Sequence, residues 1–362
     1  MRELRSTGTA RVRGKSETWG RQAGLPVLLV LSVILGAPWE LLSQEPADGT
    51  PPHPSAAAPG EQPSSKAPAG KEAAGKEAAG KEAAGKEAGP GEGQAPPAFI
   101  RVRRGPEPES TALALETSIA RYTAAEGPHQ GVQIDLVAVV HIGERAYYEE
   151  LNRRFADYDV VLYELVAPEG ARVPKGGTKG KNTHPVSALQ NGLKSLLALD
   201  FQLDHVDYTA ANFVHADMTP EEMAKSMADR QESWSQMFFR MLGQGIAQQS
   251  KTQQQGGDWA LFGALFAKDR PLRLKRVLAA QFEDVDASLA ALDGPQGSTL
   301  ITQRNRKALQ VLDRELRAGR RRIAIFYGAG HMVDFEKRLL ADYGLKRGAT
   351  EWLTAWNMEN AR

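Results

Sequence analysis

Two histidines and a glutamate stand where apolar runs of this chain give way to loops. His141 closes Leu136-Val-Ala-Val-Val140, and His331 follows Tyr327-Gly-Ala-Gly330. Glu164 is the one internal acid of Asp159-Val-Val-Leu-Tyr-Glu-Leu-Val166. Short apolar runs bounded by loop residues predict strands buried on both faces. In an open α/β sheet the carboxyl ends of such strands form the ligand crevice, so side chains far apart in sequence converge there. Imidazole, carboxylate and imidazole from 141, 164 and 331 would give a divalent ion three protein ligands and leave a position for water. Zinc, manganese and cobalt all suit that donor set. Each residue also has a plain structural reading. His141 can cap the helix expected from Glu144, and Glu164 can be the buried partner of an arginine. The glycines before His331 permit a tight turn and close approach of a ligand.

The elements that must position these residues are legible around them. Leu113 to Thr123 and Gly131 to Val140, separated by Glu126-Gly-Pro-His-Gln130, predict an antiparallel pair. Glu144 to Tyr158 predicts a helix, Asp159 to Val166 a buried strand, and Arg322-Ile-Ala-Ile-Phe-Tyr327 another. A helix over Met332 to Tyr343 and an edge strand over Glu351 to Met358 close the chain. Between them, Val186 to Leu316 is mostly helical in pattern. One helix start is marked by Thr219-Pro220-Glu221-Glu222, where threonine can cap and proline fits the first turn. Met223, Met227, Met237, Met241, Phe238, Phe239, Trp259, Phe262 and Phe266 of this insert line either a groove or ordinary core. The fold class is therefore α/β, with a mixed central sheet, flanking helices and a large helical insert.

Composition restricts the rest. Forty-five basic and 44 acidic residues leave a formal net charge of +1, so no overall field marks the chain for nucleic acid. With no cysteine, disulfides, thiolate metal sites, cysteine nucleophiles and lipidation through cysteine are all excluded. A flank carrying Arg2, Arg5, Arg11, Arg13, Lys15 and Arg21 precedes the apolar run Leu25 to Ala37. That pattern predicts export, with residues 1–43 either a cleaved signal or a retained anchor. A spanning helix needs about 20 apolar residues, a length approached if the run extends through Leu42. The basic flank would stay cytoplasmic, placing the rest in the periplasm or at the cell surface. Residues 44–97 are Pro, Ala, Gly, Ser, Lys and Glu, with Gly-Lys-Glu-Ala-Ala repeated from Gly70 to Ala88. They predict an unstructured spacer, because there is no apolar face to bury and each Gly costs helix about 1 kcal/mol against Ala. Residues 98–362 hold the folded domain.

The residues resemble the TraB/PrgY/GumN/Tiki superfamily over about Gln133 to Tyr343, and with it the erythromycin esterases and ChaN-type haem-binding lipoproteins. That superfamily pairs two Gly-x-x-His motifs at strand ends with a Glu in an intervening strand and an Arg before the second motif. Gly328-Ala-Gly-His331 matches the second motif, Tyr163-Glu-Leu165 the acidic strand, and Thr302-Gln-Arg-Asn305 the arginine segment. The first motif is partial, with Ala138 in place of its glycine ahead of Val139-Val-His141. The resemblance implies an EreA/ChaN-like fold and a membrane-tethered, metal-dependent hydrolase acting on peptides. His141, Glu164 and His331 would hold the metal or act as base, and Arg304 would stabilise the oxyanion. The esterase relatives imply a metal-free alternative, with His as base and Glu as its partner. The haem-binding relatives imply a non-catalytic binder of haem or peptide.

Other residues are set outside this core site. Asp217, in Phe213-Val-His-Ala-Asp-Met218, reads as an acid at a helix start, and His215 as a packed surface histidine. His205 and His184 carry weaker signals still. Glu144 reads as a helix-dipole acid. No His-Glu-x-x-His occurs, and Gly176-Gly-Thr-Lys-Gly-Lys-Asn182 lacks phosphate-loop spacing, leaving Arg172 to Lys181 a basic loop.

Overall fold

Four parallel strands lie side by side and end at one edge. They are β3 (Gln133–Val139), β8 (Arg322–Gly328), β5 (Val160–Tyr163) and β7 (Phe213–His215), in that spatial order. The computed structural model describes residues 98–106, 111–171, 192, 194–233, 263–264, 266–282, 293 and 296–359. β3, β5 and β8 are buried almost throughout, as near-continuous Val, Ile and Leu runs require when both faces are covered. β2 (Ala112–Thr123) pairs antiparallel with β3 through its second half and with β1 (Ile100–Arg104) through its first. β9 (Lys346–Asn357) runs antiparallel along β2 from Ala114 to Thr123. The sheet is thus mixed, with its antiparallel strands on one side and its parallel strands on the other.

Alternation along β8 shows how the two faces are covered. Phe326 packs on Phe155 of α1 (Arg145–Phe155), with ring centroids 4.7 Å apart. Tyr327, pointing the opposite way, packs on Phe335 of α6 (Met332–Ala341) at 5.1 Å. Tyr147, Leu151 and Phe155 recur every fourth residue on the buried stripe of α1. A two-residue ladder, β4 (Ile142–Gly143) with β6 (Asp200–Phe201), leads into the short helix α2 (Gln202–His205).

The helix start expected at Thr219 is observed. α3 (Pro220–Asp229) carries a capping box in which Thr219 Oγ1 accepts from the Glu222 amide and Glu222 accepts from the Thr219 amide. Its Met223 and Met227 are buried with Val166, Met218 and Leu300, so these two methionines are core. Phe266 is exposed, and the remaining groove candidates lie outside the described residues. So do the export segment, the spacer, the Arg172 to Lys181 loop and His184.

α4 (Arg270–Ala279) and α5 (Arg304–Arg317) complete the described helices of ten residues or more. α5 is entered through a π-helical turn, Thr299–Gln303. Three observed elements depart from expectation. The strand expected over 159–166 spans Val160–Tyr163: before it the Asp159 carboxylate accepts from the amides of Arg321 and Arg322, and after it the Glu164 side chain turns to Arg304. The closing strand begins at Lys346 because β2 offers pairing along almost its whole length. Glu144 makes no cap bond to α1; it accepts from Lys275 Nζ at 2.6 Å and from the Asn357 amide at 3.3 Å.

Candidate functional site

The carboxyl ends of β5, β7 and β8 deliver one charged or titratable side chain each to a buried cluster. Glu164 directly follows β5, Asp217 stands two residues past β7, and His331 three past β8. Arg304, the first residue of α5, reaches in from above the sheet. Its Nη2 donates to Glu164 Oε1 at 2.7 Å and to Asp217 Oδ2 at 2.6 Å, and its Nε donates to Asp217 Oδ1 at 3.0 Å. All four side chains are buried, Arg304 at 3% exposure and Asp217 at 2%. Such a guanidinium is tolerated in the interior because its fork is matched by carboxylate oxygens.

Glu164 is held on both oxygens. Oε2 accepts from the Gly328 amide at 2.7 Å, and Oε1 also lies 3.4 Å from His331 Nε2. Burial alone would raise this carboxyl, but Arg304, His331 and His141 together hold it well below the usual range. Burial works against the charge on Arg304, but Asp217 and Glu164 raise its pKa well above the ordinary value and keep the guanidinium charged. Tyr327 beside them is pushed well up by burial and by Asp217, so it stays a neutral phenol, and its hydroxyl donates to the Ala216 carbonyl. Two carboxylates and one guanidinium leave one negative charge in excess. His331 is the imidazole set against Glu164 in this cluster.

The His331 ring is fixed from its far side. Nδ1 lies 2.6 Å from Asn305 Oδ1, and Asn305 Nδ2 donates to the His331 carbonyl at 3.0 Å and to Asp334 Oδ2 at 2.9 Å. Tyr327 meets the ring edge-on at 5.2 Å. His141, two residues past β3, is partly buried and acts electrostatically on Glu164. Its Nδ1 lies 2.6 Å from Gln202 Oε1, whose amide nitrogen reaches Tyr208 at 2.7 Å.

The structure brings Glu164, Arg304 and His331 together, with His141 in electrostatic reach of Glu164. Three features of the cluster bear on the expected roles. Among the described residues no group of three or more His, Asp or Glu is arranged to hold a metal. The physical reason lies in Glu164, whose oxygens face a guanidinium, an amide N–H and an imidazole. The zinc, manganese or cobalt centre expected at His141, Glu164 and His331 does not fit this donor set. Arg304, expected to meet an oxyanion, spends Nε and Nη2 on carboxylates. Asp217, set outside the site, has both oxygens on Arg304 and belongs to it.

Asn305 and Gln202 were also missed. Asn305 sits beside Arg304 in the motif that carries the arginine, but one sequence does not reveal which side chains an amide will bridge. Asp217 follows a strand of only three residues, too short to register as an apolar run. His215 is a packed residue as expected, with Nε2 at 2.6 Å from the Leu165 carbonyl. No family model, no curated protein and no solved structure matches this chain.

Proposed function

We propose that this domain is a metal-independent hydrolase of ester or peptide carbonyls, with His331 as the proton-transferring base and Glu164 as its charge partner. The observation that carries the reading is the buried His331 ring against a carboxylate that Arg304 and the Gly328 amide keep ionised, where parallel strands end. In this reading water attacks the carbonyl carbon and His331 Nε2 takes its proton. The imidazolium so formed is stabilised by Glu164, and the same proton passes to the leaving alcohol or amine as the carbon–oxygen or carbon–nitrogen bond breaks. Arg304 works through Glu164, keeping it charged with Asp217. His141, at the neighbouring strand end, supplies the hydrogen bond to the developing oxyanion.

The matched motifs Gly328-Ala-Gly-His331 and Tyr163-Glu-Leu165, with Arg304, support membership of the TraB/PrgY/GumN/Tiki superfamily and an EreA/ChaN-like fold. The basic flank and apolar run support export, with residues 25–42 as signal or anchor and a peptide as the natural substrate outside the cytoplasmic membrane. Among the described residues no helix is long and apolar enough to cross a membrane, and residues 25–42 are not among them. The test is turnover of activated esters and a mixed peptide pool by the full chain, before and after exhaustive chelation. Activity that survives chelation and falls with His331→Ala supports the reading. Activity that appears only with added metal, or no turnover together with saturable haem absorption changes, overturns it.

A further inference from the structure

We infer that Asn305 is a positioning residue that holds His331 as the Nδ1–H tautomer, so that Nε2, facing Glu164, is the single ring atom that exchanges a proton. The amide of Asn305 has only one workable orientation. Its Nδ2 meets two groups that can only accept, the His331 carbonyl at 3.0 Å and Asp334 Oδ2 at 2.9 Å. Asp334 is itself engaged by Arg338 Nε at 2.8 Å, as befits a carboxylate. Reversing the amide of the fully buried Asn305 would put Oδ1 against two acceptors, losing two hydrogen bonds and adding repulsion. Oδ1 therefore faces His331 Nδ1, and at 2.6 Å the nitrogen must donate. A neutral imidazole carries one N–H, so its lone pair is on Nε2, 3.4 Å from Glu164 Oε1.

The contrast with His141 sharpens the assignment. Gln202 bridges His141 Nδ1 and the Tyr208 hydroxyl, and a hydroxyl can donate or accept. At His141 the amide nitrogen therefore meets one hydroxyl, where at His331 it meets two groups that can only accept. Position reinforces the difference. Asn305 and Arg304 are consecutive on α5, so one backbone segment places both the cation that charges Glu164 and the amide that orders His331. The two opposite faces of the imidazole–carboxylate pair are thereby set by a single rigid element.

The catalytic consequence rests on the hydrolase reading given above; the tautomer itself does not. The test is a nitrogen-15 spectrum of the histidine-labelled full chain, titrated upward until the His331 ring is neutral. The expected result is a protonated Nδ1 and an unprotonated Nε2. Asn305→Asp keeps the acceptor at Nδ1 and should retain that pattern, at a cost in stability because its second oxygen meets the His331 carbonyl and Asp334. Asn305→Leu should lose it, with kcat falling on the order of 100-fold and KM nearly unchanged, the loss expected when a base is misdirected. A neutral ring protonated on Nε2, or a fast average of both forms in the unsubstituted protein, overturns the inference without any variant having to fold. Full kcat in a folded Asn305→Leu overturns it as well. Failure of the hydrolase reading looks different: full activity in His331→Ala with the Nδ1–H pattern intact in the parent protein.

Discussion

Both ends of the parallel strands bury a carboxylate, and the two are held in different ways. Near the amino end, Asp135 of β3 accepts from Arg121 Nε at 3.2 Å, Gln133 Nε2 at 2.9 Å and the Tyr158 hydroxyl at 2.8 Å. The Arg121 side chain is 43% exposed and opens to solvent, and burial and Asp135 push the Tyr158 phenol far up. None of its hydrogen-bonding partners titrates near neutral pH. At the carboxyl end, Arg304 is enclosed with two carboxylates, and one of these faces an imidazole. A buried carboxylate alone is therefore a structural device here. It becomes a candidate for chemistry where a group able to exchange a proton is set against it.

That contrast can be broken most decisively through activity. His331→Ala should lower turnover by about 10²- to 10⁴-fold, the range a positioned base supplies, while Tyr158→Phe at the other end leaves it unchanged. Equal effects in steady-state assays would erase the distinction. Stability should show a second gap. Arg304→Met strands two buried carboxylates and should cost about 3–5 kcal/mol in urea unfolding. Arg121→Met removes a half-exposed partner from Asp135, which keeps Gln133 and Tyr158, and should cost about 1 kcal/mol or less.

A smaller effect is expected where the chain turns into α5. Gly297 has φ +68°, and a Cβ there would run into the Thr302 side chain, which is pinned to Asp293. Gly297→Ala should cost about 1–3 kcal/mol and reduce turnover by shifting the π turn that seats Arg304, read by melting and kinetics together. Smallest of all, Thr219→Ala removes one side of the α3 capping box and should cost about 1 kcal/mol with activity preserved.

How far the sequence reached differs between the sheet and the site. The apolar runs around 136, 160 and 325 report strands buried on both faces, and their termini mark the crevice, because burial and strand direction are encoded locally. β7 escaped notice since three residues carry no period, and with it went Asp217. The role of each carboxylate oxygen was equally hidden. A histidine, glutamate, histidine set reads as a metal site in one dimension, whereas in three dimensions Arg304 and the Gly328 amide take Glu164 first. The arginine was legible as a site residue through its motif, but the partners that redirect it from an oxyanion to a carboxylate come from β5 and β7, far away in sequence.

The account depends on Glu164 being an anion whenever the protein is folded. Its carboxyl is held below the ordinary value of 4.5, so it stabilises the fold above that pH, and the contribution fades as pH falls toward the depressed native value. Carbon-13 titration of the Glu164 side-chain carboxyl in the folded full chain measures this directly. The expected result is a carboxylate signal constant from neutral pH to below 4.5, moving upward in pH when Arg304 is replaced by Met. A carboxyl that takes up its proton at or above the ordinary value in the unsubstituted protein contradicts the account.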